Sequence, residues 1–219
     1  MGSDPKRDVV GSDPKPRIAV LISGRGSNLQ ALIDAAVERR LGGEIAVVIS
    51  NRPGALGLAR AEEAGIQAVT IDHRAFTTRE LFERALVDEL RAHQVSLVCL
   101  AGFMRLLGPT FLAAFPRAIL NIHPSLLPSF PGVNGAAQAL THGVKIAGAT
   151  VHLVTGELDG GPIVAQAAVP VHDDDTVESL AARILIEEHR IYPEAVARVL
   201  SGDWTVDGRR FVRVGSDPN

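Results

Sequence analysis

Residues 18–37 read IAVLISGRGSNLQALIDAAV, and this stretch decides the fold class. Its first five residues are apolar and predict a short buried strand over 18–22. The glycines at 24 and 26 predict a tight turn. Apolar residues then recur at helical spacing, at Leu29, Leu32, Ile33, Ala36 and Val37. This spacing predicts an amphipathic helix that ends near residues 42–43.

The rest of the chain continues the alternation of strands and helices. Further strands are predicted at 45–49, 68–71, 96–101 and 118–122, with helices at 55–64 and 78–92. Such alternation favours a mostly parallel sheet with helices on both faces. The pattern then changes to a helix at 133–142, paired strands at 147–154 and 163–171, a helix at 176–200 and an Asp-Gly hairpin at 207–208. We therefore expect an α/β fold with an antiparallel C-terminal part.

Composition limits the classes of function. The chain has 219 residues and a formal net charge of -3, with no basic run. This argues against a nucleic-acid surface but leaves room for a local anion site. No apolar run approaches the roughly 18 residues of a membrane span, and residues 1–17 lack the apolar centre of a signal peptide. The single cysteine, Cys99, lies in an apolar run. We expect a cytoplasmic protein without membrane or nucleic-acid partners.

A repeated tetrapeptide marks both ends of the chain. Gly-Ser-Asp-Pro occurs at 2–5, 11–14 and 215–218. We interpret residues 1–16 and 214–219 as tails, either added for expression or native, and give them no function. Residues 17–213 are expected to form a single domain, since their number fits one α/β domain.

The glycine loop (residues 23–28) can hold a phosphate. Gly26 lets a ligand approach the backbone, the helix N-terminus offers free N–H groups, and Ser27 and Asn28 add side-chain donors. A dinucleotide is disfavoured, because Leu29 replaces the third glycine of that fingerprint and residues 50–52 include no acidic residue. A turn that only starts a helix has the same sequence, so the loop alone leaves both interpretations open.

Asn121 and His123 are two residues apart near the end of a predicted strand, so both side chains point to one side. An amide can donate to an oxygen that becomes negative during acyl transfer, and an imidazole can move protons near neutral pH. The pair also suits a capped strand end with a structural histidine.

Asp159 lies on a glycine-rich loop at 158–162. Near His123, its carboxylate would stabilise a charged imidazole and could accept a proton from an attacking amine. A turn aspartate is the alternative. His152, seven residues earlier, is retained as a site candidate. The histidines show no metal-ligand spacing, and no metal is assigned.

Four blocks of the sequence belong together: ISGRGSNL at 22–29, LAGFMR at 100–105, NIHPSLLP at 121–128 and LDGGP at 158–162. In this order they resemble the phosphoribosylglycinamide formyltransferase family. The resemblance spans about residues 17 to 203. The last two blocks are typical of folate-dependent formyltransferases, and the first narrows the family to the glycinamide ribonucleotide branch or the related deformylase. The resemblance implies a single Rossmann-like formyltransferase domain.

The resemblance also implies binding roles. Gly26, Ser27 and Asn28 would hold the phosphate of glycinamide ribonucleotide, and Glu188 its ribose. The co-substrate is 10-formyltetrahydrofolate. Arg79 would approach its glutamate tail. Its pterin ring would contact six residues. Four of them follow the fourth strand, namely Met104, Arg105, Leu106 and Leu107, and the other two are the polar residues Asn121 and His152.

The implied reaction is direct formyl transfer in purine biosynthesis, without metal or covalent enzyme intermediate. Asn121 would polarise the formyl oxygen, His123 would stabilise the tetrahedral intermediate and move protons, and Asp159 would assist His123. One departure is the segment 133–138, which lacks the histidine that many members carry there. A homodimer is compatible with the family.

Three other functions are weighed against this one. A 10-formyltetrahydrofolate hydrolase would use water in place of the amine, and its branch usually has an N-terminal regulatory domain. A methionyl-tRNA formyltransferase would need a further C-terminal domain and a basic surface. A non-catalytic module that binds a phosphate ligand would explain the glycine loop, but not Asn121, His123 and Asp159 together.

Overall fold

The computed structural model describes residues 15–214, which form one mixed sheet with helices packed against it. Its strands are β1 (Arg17–Ile22), β2 (Glu44–Ser50), β3 (Ala68–Thr70), β4 (Leu97–Leu100), β5 (Ile119–His123), β6 (Ile146–Leu153), β7 (Ile163–Pro170), β8 (Trp204–Asp207) and β9 (Arg210–Arg213). The helices are α1 (Ser27–Val37), α2 (Leu56–Glu63), α3 (Arg79–Ala92), α4 (Pro109–Ala114), α5 (Gly135–Thr141) and α6 (Val177–Leu200), with a 3-10 turn at His73–Ala75. The Gly-Ser-Asp-Pro repeats lie outside the described residues.

The strand order is β3-β2-β1-β4-β5-β6-β7-β9-β8. Strands β1 to β5 pair in parallel, whereas β6 runs antiparallel to both β5 and β7. The predicted α/β fold, with a parallel first half and an antiparallel C-terminal part, is confirmed. The pairing of β9 with β7 is parallel, through Ile163 and Arg210, and was not predicted. It joins elements about 50 residues apart, beyond what hairpin signals report.

Helices cover both faces of the sheet, as the strand composition requires. Along β1, Ile18, Val20 and Ile22 pack into one core cluster with α1 and α6, while Ala19 and Leu21 pack into a second with α3 and α4. Successive strand residues face opposite sides. A strand that is apolar at every position is therefore buried on both faces, which is typical of parallel sheets.

Helix α1 ends earlier than its glycines suggested. The prediction placed its end near residues 42–43, but the last helical residue is Val37. Arg39 adopts a left-handed conformation with φ of 57°. The N–H groups of Arg39 and Arg40 then bond to the carbonyls of Ala36 and Ala35. This is the Schellman arrangement, formed here without glycine.

Helix α4 was missed because its six residues are too few to show a helical period. The Glu83 carboxylate of α3 supplies hydrogen-bond acceptors at the start of α4, where Gly108 N–H donates to Oε1 at 2.6 Å.

Within residues 15–214, no helix is long and apolar enough to cross a membrane. Cys99 is fully buried in β4, and burial raises the pKa of its thiol to about 12. It is therefore a core residue, as expected.

Candidate active site

The glycine loop connects β1 to α1, and at Gly26 its conformation and close packing leave no room for a side chain. Gly26 precedes the helix with φ of 72°, in the left-handed region. A Cβ atom at this position would lie 2.7 Å from the Cα of Gly57. Gly57 N–H also donates to the carbonyl of Gly24 at 3.0 Å. The loop is therefore packed against α2, and the first N–H groups of α1 are left without helical partners.

Asn28 and Glu188 meet although 160 residues separate them. Asn28 Nδ2 donates to Glu188 Oε2 at 2.7 Å. Burial raises the pKa of Glu188, and the Asn28 hydrogen bond and the nearby His123 charge oppose this. Within the described part of the chain, buried Asn28 Oδ1 has no hydrogen-bond partner. The predicted phosphate and ribose residues thus share one place, close to the predicted catalytic residues.

Asn121 lies opposite His152 in the β5–β6 ladder. His152 Nδ1 faces the carbonyl oxygen of Leu153 at 3.0 Å, so Nδ1 carries the proton. Burial lowers the pKa of His152, while the Leu153 hydrogen bond and the charge of Asp159 oppose this. The neutral Nε2 can therefore accept a hydrogen bond from Asn121 Nδ2, which is 3.2 Å away. His152 thereby orients the Asn121 amide.

Asp159 lies between two imidazole rings. Its Oδ2 is 3.5 Å from His123 Nδ1, and its Oδ1 is 3.7 Å from His152 Nε2. Gly132 N–H donates to Oδ2 at 2.7 Å. His123 Nε2 donates to the carbonyl of Phe130 at 2.9 Å, which leaves Nδ1 directed at the carboxylate. Asp159 therefore contacts His123 directly and is linked to Asn121 through His152, with the pairing fixed by backbone contacts.

The 102–108 loop follows β4 and carries the residues predicted for the pterin. Met104, Arg105 and Leu106 are exposed, and Leu107 is half-buried. Met104 N–H donates to Ser23 Oγ at 2.8 Å, and Gly108 N–H donates to Glu83. Both ends of the loop are therefore fastened, whereas the side chains between them are available to a ligand.

Arg79 lies beside the end of the 102–108 loop. Its Nε is 3.4 Å from Glu83 Oε1, and a Cβ atom at Gly108 would lie 2.9 Å from its Nη2. The Glu83 side chain is 2% exposed, whereas the Arg79 side chain is 53% exposed. The guanidinium is therefore held beside Glu83 and remains open to solvent.

Two supporting residues were missed by sequence reasoning. Glu83 lies on the buried stripe of α3, where a carboxylate among apolar residues was a usable signal. Thr150 is fully buried in β6. Its Oγ1 donates to the Ser125 carbonyl at 2.6 Å and accepts from Leu127 N–H at 3.0 Å. Thr150 therefore holds the turn that follows His123.

The segment 133–138 is closed without a histidine. Asn134 precedes α5 with φ of 61°. Gln138 Nε2 donates to the carbonyls of Pro131 at 3.2 Å and Val133 at 2.8 Å.

Among residues 15–214, no group of three or more His, Cys, Asp or Glu side chains could hold a metal ion.

Comparison with known proteins gives these contacts a context. Residues 16–196 match the family model described as formyl transferase. The chain belongs to the formyl transferase family. This confirms the resemblance predicted from the four sequence blocks.

Related proteins align with this chain over most of its length. It is 46% identical over 192 residues to phosphoribosylglycinamide formyltransferase of Escherichia coli K12, covering 88% of each. It is 48% identical over 193 residues to the trifunctional purine biosynthetic protein adenosine-3 of Drosophila melanogaster, but spans only 14% of that protein's length. The crystal structure of glycinamide ribonucleotide transformylase 1 from Symbiobacterium toebii has 53% identity and a TM-score of 0.92, with 95% and 98% of the two chains covered.

Proposed function

We propose that this protein transfers the formyl group of 10-formyltetrahydrofolate to the amine of glycinamide ribonucleotide, a step of purine biosynthesis. The observation that carries the proposal is the position of Asp159, which lies beside His123 and beside His152, the ring that contacts Asn121. The names of the Escherichia coli relative and of the Symbiobacterium toebii structure support the choice of acceptor.

The glycine loop and α6 bind the ribonucleotide in this proposal. Its phosphate meets the N–H groups of Gly26, Ser27 and Asn28 at the start of α1, where the helix dipole favours an anion. Glu188 accepts hydrogen bonds from the ribose hydroxyls. Its contact with Asn28 already links the two groups, so one rigid unit binds the phosphate and the sugar.

The 102–108 loop binds the folate. The exposed apolar side chains of Met104 and Leu106, which are 59% and 65% exposed, suit a flat aromatic ring. Arg105 and Leu107 complete that side of the pocket. Arg79 meets the carboxylates of the glutamate tail, and its anchor Glu83 keeps it beside the loop.

Asn121, His123 and Asp159 carry the reaction. The amine nitrogen of the ribonucleotide bonds to the formyl carbon, and the bond from that carbon to folate N10 breaks. Asn121 Nδ2, oriented by His152, donates to the oxygen that becomes negative. His123 Nδ1 and Asp159 receive the proton that the amine loses and return it to N10 as tetrahydrofolate leaves. Charge and protons therefore balance within the two substrates and these side chains.

A hydrolase would use water in the place of the amine at the same three residues. The linked pair of Asn28 and Glu188 favours transfer, because a hydrolase does not need a nucleotide site. A binding module without chemistry would leave the contacts between Asp159 and two imidazoles without a role.

The test is turnover of 10-formyltetrahydrofolate with and without glycinamide ribonucleotide, followed by folate absorbance. We expect turnover only when the ribonucleotide is present, and a product heavier by one formyl group. Equal turnover without the ribonucleotide would establish a hydrolase. No turnover with either would contradict both enzymes.

We further propose that residues 17–213 form the catalytic domain and that the protein acts in the cytoplasm on small molecules. Light scattering behind a sizing column would decide between a monomer and a homodimer.

A further inference from the structure

Ser23, which follows strand β1, contacts two distant segments through one hydroxyl group. Its Oγ accepts a hydrogen bond from Met104 N–H at 2.8 Å and donates to Asn51 Oδ1 at 2.6 Å. Ser23 is 5% exposed, and Asn51 is fully buried. The donor and one acceptor site of the hydroxyl are therefore used inside the protein.

Asn51 fixes the other side of this hydrogen-bond chain. It follows β2, and its carbonyl oxygen is 2.9 Å from His73 Nδ1. Because a carbonyl only accepts, His73 donates this bond. The ends of β1 and β2 and the 3-10 turn after β3 thus form one frame. The Met104 amide is fastened to that frame only through Ser23 among the hydrogen bonds of the described residues.

Ser23 lies outside the set of side chains that the proposed reaction uses. Its hydroxyl group is buried and engaged with Met104 and Asn51, and we assign it no contact with a substrate. It is, however, the first residue of the glycine loop, and its partner Met104 belongs to the 102–108 loop. We infer that Ser23 is a positioning residue that sets the spacing between the ribonucleotide loop and the folate loop. This inference rests on the proposed function of the two loops.

Removal of the hydroxyl would release one end of the folate loop. In Ser23→Ala, Met104 N–H loses its acceptor and Asn51 Oδ1 loses its donor. Glu83 still holds Gly108, so the other end of the loop stays in place. We expect the KM for 10-formyltetrahydrofolate to rise about tenfold. Such a change corresponds to a loss of about 1.4 kcal/mol of binding free energy. The kcat falls as well, because reacting atoms must meet within tight limits of distance.

The variants separate a positioning role from a general loss of stability. Ser23→Cys keeps nearly the same shape but bonds weakly, and Ser23→Thr keeps the hydroxyl. Ser96→Ala is the matched control, because exposed Ser96 bonds to the Arg17 carbonyl at the other end of the strands, where β1 and β4 begin. General destabilisation would lower the folded fraction, and with it the apparent kcat, without changing the KM of the molecules that remain folded.

The experiment combines steady-state kinetics, calorimetric binding of glycinamide ribonucleotide alone, and hydrogen exchange at the Met104 amide. We expect Ser23→Ala and Ser23→Cys to raise the folate KM and to speed Met104 exchange. The affinity for the ribonucleotide should stay within about twofold. Ser23→Thr and Ser96→Ala should resemble the wild type.

A folate KM within twofold of the wild type together with unchanged Met104 exchange in Ser23→Ala and Ser23→Cys overturns the inference. If the wild type shows no turnover that depends on the ribonucleotide, the proposed function fails instead. The exchange measurement then still decides whether Ser23 holds the loop. If Ser23→Ala does not fold, Ser23→Cys provides the same comparison.

Discussion

Nδ2 of Asn121 lies 3.2 Å from Nε2 of His152, and the other nitrogen of that ring bonds to the carbonyl of Leu153. This arrangement requires a neutral imidazole, because a proton on Nε2 would oppose the amide N–H. The buried ring is therefore a hydrogen-bond acceptor that holds the Asn121 amide in one orientation. The second N–H of that amide has no partner among the hydrogen bonds of residues 15–214.

The neutral state of His152 predicts a pH-dependent stability. Burial lowers the pKa of the folded ring below its ordinary 6.5, against the opposing effect of Asp159. As pH falls through 6.5, His152 therefore binds a proton more readily in the unfolded chain than in the folded chain. This stability is present above that value and is lost below it, by at most about 1.4 kcal/mol per pH unit. The free energy of unfolding, measured in urea across this range, should depend less on pH in His152→Gln. Some dependence remains, because burial also lowers the pKa of His189. The control is His172→Gln, at an exposed position, which should keep the pH dependence of the wild type.

His123→Ala should lower kcat by about 10² to 10⁴, because it removes the group that moves protons. Its side chain is 5% exposed, so circular dichroism must accompany the kinetics. The matched control is His172→Ala, at an exposed position beyond β7. Near-normal turnover in a folded His123→Ala enzyme would remove His123 from the mechanism.

Asp159→Asn should lower kcat about 10²-fold or more, since it removes the charge beside His123 Nδ1. The amide oxygen can still accept from Gly132 N–H, so the loop should keep its place. Asp173→Asn is the control, because this exposed carboxylate pairs only with the Lys145 side chain among the ion pairs of residues 15–214. Comparable kcat values for the two variants would contradict the proposed role.

Gly26→Ala should destabilise the protein and weaken ribonucleotide binding. Gly54 provides a close comparison, because it has φ of 71° but nothing within 4 Å of an added Cβ atom. Gly54→Ala therefore costs only the left-handed conformation, about 1–2 kcal/mol. Gly26→Ala adds the clash with Gly57, about 1–3 kcal/mol more. Urea unfolding and the KM for the ribonucleotide measure the two effects, and equal losses of stability would show that the loop can shift.

Glu83→Gln should cost about 1–3 kcal/mol of stability. One amide oxygen can replace Oε1 as the acceptor for Gly108, but the amide nitrogen then faces the N–H of Phe111. Glu80→Gln removes an exposed pair with Arg84 on the same helix and should cost no more than about 0.5 kcal/mol. Thermal unfolding of both variants gives the comparison. A similarly small effect at both positions would mean that Glu83 does not anchor the loop.

The sequence predicted the parts of the site that local patterns report. Strand β1, the glycine loop and α1 follow from adjacent residues, and Asn121 and His123 share a side because they are two apart on a strand. Their approach to Asp159 depended on the resemblance to a family. The contact between Ser23 and Met104 joins residues 81 apart, and no local period reports such a pair. Glu83 was overlooked although it falls on the stripe of Phe82, Leu86 and Val87, where a carboxylate needs buried partners.

The hairpin of β8 and β9 is attached to α6 as well as to the sheet. Trp204 Nε1 donates to the Val199 carbonyl at 2.8 Å, and Arg198 lies over the Phe211 ring. Trp204 is the only tryptophan of the chain. Glu188 lies on α6 eleven residues before Val199, which corresponds to roughly 16 Å along the helix axis. The protein thus carries its own optical probe: a ligand that shifts α6 should change the intrinsic fluorescence of one indole, without any added label.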